Sequence, residues 1–171
     1  ATRPIEDLEA YRTKLHSYVS GSRLFMQPMI EQARKNPPRI AYAEGENDDV
    51  LRSMQGIIDE KIAKPILVGR PTVIKRKIEQ MQLRIRPGVD LEIFNPEDGD
   101  YRENYWKFYH DRVGRSGISV ESARNTVHTN NTVIAAIMVA LGDRRSIING
   151  KSGRYDRHLN SIESIIPPHS E

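Results

Sequence analysis

The 171-residue sequence contains no cysteine. That excludes disulfides, zinc–thiolate centres and thiol nucleophiles together. It fits a reducing, cytoplasmic setting. Long apolar runs are also missing. The longest, Val133 to Leu141, has nine residues, and a membrane span needs about twenty. The opening ATRPIEDLEAYRTK has no apolar signal-peptide core. Charge of one sign is not in excess, with 26 basic and 23 acidic residues and a net charge of +3. A mixed surface of this kind does not form a nucleic-acid-binding face. The longest basic cluster, Lys75-Arg76-Lys77, sits in a helical pattern and reads as a solvated helix face. No repeat or low-complexity segment is present. The expectation is a soluble, cytoplasmic protein of about one domain, large enough to bury a core without a metal or a cross-link.

What is present alternates between two periodicities. Apolar residues at Ile5, Leu8, Tyr11, Leu15, Tyr18 and Val19 recur at helical spacing. A second helix runs from Ser22 to Lys35 and stops at Asn36-Pro37-Pro38. Four short apolar runs bounded by turn signals then read as buried parallel strands: Ile40–Ala43, Pro65–Gly69, Leu91–Pro96 and Ser146–Gly150. Helical patterns lie between and after them: Asp48–Lys61, Val73–Met81 behind Pro71, the aromatic-rich Tyr101–Arg115, a short helix opened by Ser119 and Ser122, and Tyr155–Ile166. The segment TNNTVIAAIMVAL is apolar nearly all round, as a buried helix is, and Gly142 ends it. Alternation of this kind gives an α/β fold, a parallel sheet covered by helices with right-handed crossovers. Its ligands bind at the carboxyl ends of the strands. Those ends are the loops at 44–48, 69–71, 95–99 and 149–154.

The first of these loops raises a question. In RIAYAEGENDDVLRSMQG a strand, a glycine turn and a helix follow one another, the order in which many proteins hold a phosphate. Yet the turn carries Glu44, Glu46, Asp48 and Asp49. It matches neither GxGxxG nor the Walker pattern. It fits a tight turn whose carboxylates sit near a helix N-terminus, with Asp48 as a plausible cap; a carboxylate metal site is the alternative. The loop NGKSGRY, Asn149 to Tyr155, is the better anion site. Two glycines flank Lys151 and Ser152, and Arg154 follows, so backbone amides and cations converge after a strand. A flexible connection is the competing reading. Thr129 or Asn130 can cap the buried helix, and free amides there also suit an anion. The five histidines offer no i, i+4 metal pair, and nothing selects a Ser-His-Asp triad. The aromatic residues at 101–109 fit packing in a core or interface, or stacking on a base.

Several segments together resemble one family. RIAYAEGENDDVLRSMQGIIDEKIAKPILVGRP resembles the opening of the phosphate acetyltransferases. RSGISVESA and NTVIAAIMVALGDRRSIING resemble two of their later motifs. The lead-in ATRPIEDLEAYRTKL, the stretch LRIRPGVDLEIFNPEDGDYRENYWKFYH and GRYDRHL are more specific. They resemble the phosphotransacetylase-like C-terminal region of bacterial NADP-dependent malic enzymes. The resemblance fades after Ile166.

The resemblance implies a three-layer α/β lobe, the first of two, with residues 37–171 forming most of it. Residues 1–36 would be two N-terminal helices acting as a lead-in or connecting arm. Coenzyme A would lie between the lobes. The second lobe and the malic domain, with its NADP and divalent metal, would lie elsewhere in the parent chain, leaving this chain with no cofactor of its own and no catalytic residue. Active acetyltransferases carry an arginine after the first turn, where Asp49 stands here. The arginine of their motif after the fourth strand falls on Asn160. An amide cannot restore a guanidinium's bidentate anion contact. The expectation is a regulatory, acyl-CoA-sensing and oligomerising region of a malic enzyme; a lobe of an active phosphate acetyltransferase is the alternative. Acyl-CoA contacts are expected at Lys151, Ser152 and Arg154, at Thr129 and Asn130, and at Arg112 or Arg115, which lie before the GIS turn. Partners are expected to be acetyl-CoA or a related acyl-CoA, the rest of the parent chain and further copies of it, with no nucleic acid and no membrane.

Overall fold

The computed structural model describes residues 7, 9, 11, 26–143 and 146–168, with the side chains of 100–102 excepted. Of the helix expected over Ile5–Val19 only residues 7, 9 and 11 are described, and the start of the one expected from Ser22 lies outside the described residues. Residues 26–35 are helical (α1) and end before Asn36-Pro37-Pro38. The Arg34 guanidinium ties this helix to the end of the next, donating to the Glu60 carbonyl at 2.8 Å and to the Glu60 carboxylate. Met26 and Met29 on it are 46% and 57% exposed.

Four strands follow: β1 (Arg39–Tyr42), β2 (Lys64–Val68), β3 (Glu92–Phe94) and β4 (Ser146–Ile148). All pairs are parallel, in the order β3-β2-β1-β4. Proline sits inside the sheet at Pro65 without breaking it. The β2–β3 ladder begins one residue later, at Ile66 opposite Glu92, so no partner waits there for the missing N–H.

Side-chain alternation along β1 sends neighbours to opposite faces. Ile40 and Tyr42 join Leu67, Leu51, Met54, Ile74 and Ile78 in one cluster, built with α2 (Asp48–Glu60) and α3 (Pro71–Gln80). Ala41 and Ala43 face the other cluster, built with α4 (Gly99–Val113), α5 (Val120–Thr129), α6 (Asn131–Ala140) and α7 (Tyr155–Glu163). The result is three layers. The small side chains of Ala41 and Ala43 leave room for α6 to pack close, and its whole stretch from Thr132 to Met138 is buried. Its amphipathicity is weak because it has no wet face. It ends in a Schellman motif: Gly142, at φ 80°, donates to the Val139 carbonyl, and the Asp143 N–H to that of Met138.

The described aromatic residues of α4 pack in or against the core cluster. Tyr105 and Tyr109 are buried, and Tyr105 stacks on Phe94 at 5.6 Å between ring centroids. Arg124 lies over the Trp106 ring at 4.4 Å. Tyr105 and Tyr109 thus show the core packing that one reading of this segment expects. A 3₁₀ turn, Gly114–Ser116, continues α4, so the expected boundary at Arg115 falls inside it. Among the described residues, no helix is long and apolar enough to cross a membrane.

Candidate functional site: the carboxyl ends of the strands

An open cleft of about 1150 Å³ lies at the carboxyl ends of the strands. One wall is the turn Ala43–Asn47. Gly45 in this turn serves the sheet: a Cβ there would stand 2.8 Å from both the Leu67 Cβ and the Val68 carbonyl oxygen. Its N–H donates to that same carbonyl, at 3.2 Å. The glycine allows the turn to press on β2, and that use does not require a phosphate. The cap of α2 is Asn47, whose Oδ1 accepts from the N–H groups of Asp49 and Val50 at 2.9 and 3.3 Å. The expected cap, Asp48, is one residue too late, because its own backbone is already helical.

Each carboxylate of the acidic turn has a donor from elsewhere in the fold. The Glu44 carboxylate accepts from the N–H of Lys151 at 2.7 Å, from the N–H of Ser152 at 2.6 Å and from the Ser152 hydroxyl at 2.6 Å. These are the donors that the sequence offers to an anion, and the anion they hold is the protein's own side chain. Arg70 grips Glu46 bidentately, at 2.9 and 2.8 Å, and adds its backbone N–H at 2.8 Å. The Lys77 ammonium donates to the Glu46 carbonyl at 2.8 Å and to Asp48 at 2.6 Å. Lys77 thus leaves the solvated face assigned to its cluster and crosses to the turn. Lys151 pairs with Asp49 at 2.7 Å.

These contacts shift the acid groups. Burial works to raise the Glu44 pKa, but the hydrogen bonds from the Ser152 hydroxyl and the two backbone N–H groups outweigh it and hold the group below the ordinary carboxylate value. Glu46 is lowered chiefly by its hydrogen bonds from the Arg70 guanidinium, against partial burial. Asp49 is lowered by Lys151, whose own pKa is raised in return.

The opposite wall is the start of α6. Asn130 is its cap, with Oδ1 accepting from Thr132 and Val133 at 3.0 and 3.3 Å. Thr129 instead donates its hydroxyl to the Asn125 carbonyl at 2.8 Å. The buried Thr132 is satisfied by His158. The His158 Nε2 lies 2.8 Å from the Ser152 carbonyl oxygen, which can only accept, so Nε2 carries the proton. On the neutral ring, Nδ1 then accepts from the Thr132 hydroxyl at 2.9 Å. His158 therefore locks the 149–154 turn against α6. Its sequence signal was weak, because it belongs to no metal spacing.

The structure brings Thr129, Asn130 and Ser152 to the cleft. Arg154 lines a smaller adjoining pocket and is held bidentately by Asp156, at 3.0 and 2.7 Å. Arg112 and Arg115 do not line the cleft. Arg112 donates to the Ile165 carbonyl at 3.1 Å and covers the Phe108 ring at 5.1 Å. Five carboxylates, including Glu97, and two cations, Arg70 and Lys77, line the cleft. Among the described residues, no group of three or more His, Asp or Glu side chains is placed to hold a metal ion.

Comparison with known proteins places this arrangement. The chain is 44% identical over 97% of its length to an NAD-dependent malic enzyme of Rhizobium meliloti (strain 1021). It is 42% identical over 96% of its length to an NADP-dependent malic enzyme of Salmonella typhimurium. In both cases it spans only 22% of the relative's length. The fold is shared with a solved structure, the EutD phosphotransacetylase from Staphylococcus aureus, at a TM-score of 0.71 and 18% identity, covering 85% of this chain and 45% of that one. The profile of the phosphate acetyl/butaryl transferases matches residues 24–171. This chain belongs to the phosphate acetyl/butaryl transferase family.

Proposed function

We propose that this chain is the acyl-CoA-sensing and oligomerising region of a malic enzyme, and that it does not itself transfer acetyl groups. The parent reaction is the oxidative decarboxylation of malate to pyruvate, with NADP and a divalent metal bound outside this chain. The two malic enzymes named above support the assignment to a malic enzyme; one is NAD-dependent and the other NADP-dependent.

The observation that carries the lack of transferase chemistry is the saturation of the acidic turn. Glu44 fills the donors of Lys151 and Ser152, and Arg70, Lys77 and Lys151 are each committed to Glu46, Asp48 or Asp49. A phosphate entering there would meet carboxylates whose partners are already taken. Asp49 and Asn160, where the active enzymes' pattern has arginine, point the same way. The retained cleft at the strand ends supports a binding role.

The test is calorimetric titration of acetyl-CoA into the full-length protein, with acetyl phosphate formation assayed on the same sample. Binding without turnover is expected. Turnover would favour the alternative, part of an active phosphate acetyltransferase, and absence of binding would overturn sensing.

A further inference from the structure

We propose that Asn149 is a site of spontaneous modification, where attack by the Gly150 nitrogen turns the amide into aspartate and isoaspartate, and that this change releases the turn from Glu44. Asn149 is the one asparagine of the sequence followed by glycine. Without a Cβ, a glycine leaves its own amide nitrogen open to close approach. Gly150 is exposed, with φ at 93° and nothing within 4 Å of the Cβ position. Among the described residues its N–H has no hydrogen-bond partner. The amide it would attack is equally unheld. The Asn149 Nδ2 is buried and has no partner, so it has given up water without a replacement, a cost carried by the native state. Other asparagines are tied: Asn47 and Asn130 cap helices through Oδ1, and Asn95 Oδ1 accepts from the Glu97 N–H.

The Gly150 nitrogen attacks the Asn149 Cγ. A new N–Cγ bond closes a succinimide, the Cγ–Nδ2 bond breaks, and ammonia leaves with the proton of the Gly150 N–H. Water then opens the ring. Attack at Cγ gives aspartate; attack at the backbone carbonyl gives isoaspartate, whose main chain is longer by one methylene. The consequence falls on the next two residues. The N–H groups of Lys151 and Ser152 hold Glu44 at 2.7 and 2.6 Å. Either product sets a second carboxylate beside that one, and like charges disfavour each other. Isoaspartate also shifts the main chain just before both donors. The coupling runs both ways: without Glu44, the turn is freer to bring the Gly150 nitrogen onto Cγ.

The test incubates the full-length protein at neutral and mildly alkaline pH and locates isoaspartate by peptide mapping with mass spectrometry. Conversion is expected at Asn149, faster at the higher pH because the attacking nitrogen must lose its proton. Asn160, followed by Ser161 within α7, is expected to stay intact and reports on global unfolding. In Glu44→Ala, conversion at Asn149 is expected to run roughly two- to tenfold faster, with Asn160 still intact. Urea midpoints of the incubated protein and of Asn149→Asp are expected to fall toward that of Glu44→Ala. Asn149 left unmodified under conditions that convert the free peptide NGKSGRY overturns the site. Equal conversion at Asn149 and Asn160 overturns it too, since the reaction would then belong to the unfolded chain. Equal rates with and without Glu44, or an unchanged midpoint in both the incubated protein and Asn149→Asp, overturns the link to the turn.

Discussion

Glu44 and Ser152, 108 positions apart in the chain, meet through two hydrogen bonds of 2.6 Å, one from the backbone N–H and one from the hydroxyl. With the Lys151 N–H, three donors depend on one carboxylate. Glu44→Ala hands these exposed donors to water and is expected to cost about 0.5–1.5 kcal/mol. Glu44→Gln keeps an acceptor oxygen and costs less. Urea denaturation midpoints measure both. Midpoints equal to the parent's would mean that the contact contributes nothing in solution.

Acid should loosen the same loops. Glu44, Glu46 and Asp49 all have native pKa values below their ordinary ones of 4.5, 4.5 and 3.8. A depressed native pKa means that the unfolded chain binds protons more readily. The stabilisation is therefore complete above the ordinary values and is lost as pH falls through the lowered native ones. Stability measured from neutral pH downward is expected to drop across that window. The drop should be shallower in a Glu44→Gln, Glu46→Gln double variant, and an identical profile would count against these two groups.

Two glycines only eleven positions apart should respond in opposite directions. At Gly45 a methyl group would press to 2.8 Å on the β2 backbone and the Leu67 Cβ, so Gly45→Ala is expected to destabilise by about 1–3 kcal/mol. Gly56 lies within α2 with nothing within 4 Å of its would-be Cβ. Gly56→Ala should stabilise by roughly 0.5–1 kcal/mol. A melting comparison in which both move the same way would contradict this placement.

Ile137 is fully buried, at 0% exposure, in the α6 layer. Ile137→Ala removes its methyl and methylene groups from a close-packed core and is expected to cost about 2–5 kcal/mol. A loss well below 1 kcal/mol would show that the α6 layer collapses around the cavity.

All four strands and the helices after them were legible, because their apolar periods are local and strong. Boundaries moved by a few residues where a turn tightened, as at Gly114–Ser116. The buried α6 was readable from Val133–Leu141, and its cap narrowed from two candidates to Asn130. What local pattern cannot hold is pairing across the chain. Glu44 and Ser152 each looked like half of a ligand site, and only folding shows that each is the other's partner. Lys77 shows the same limit: in sequence it belongs to a basic run, and in space it belongs to Asp48. Asn47 and Asp48 are both good cap residues, and their choice is fixed by where Gly45 presses the turn onto β2.

The strand order also sets a timetable. β1 lies inside the sheet, with β2 on one side and β4 on the other. Its first neighbour is made soon after it, but the second pairs Ile40 with Ser146 and arrives only after more than a hundred further residues. A chain emerging from the ribosome can therefore assemble β1, β2 and β3 early, with α2 and α3 over one face. It must then wait with an open flank on β1 until β4 appears. The Glu44 latch closes just behind that strand, at Lys151 and Ser152. Until then the Glu44 carboxylate of the first-made turn faces water, and its capture by Lys151 and Ser152 has to follow the arrival of β4.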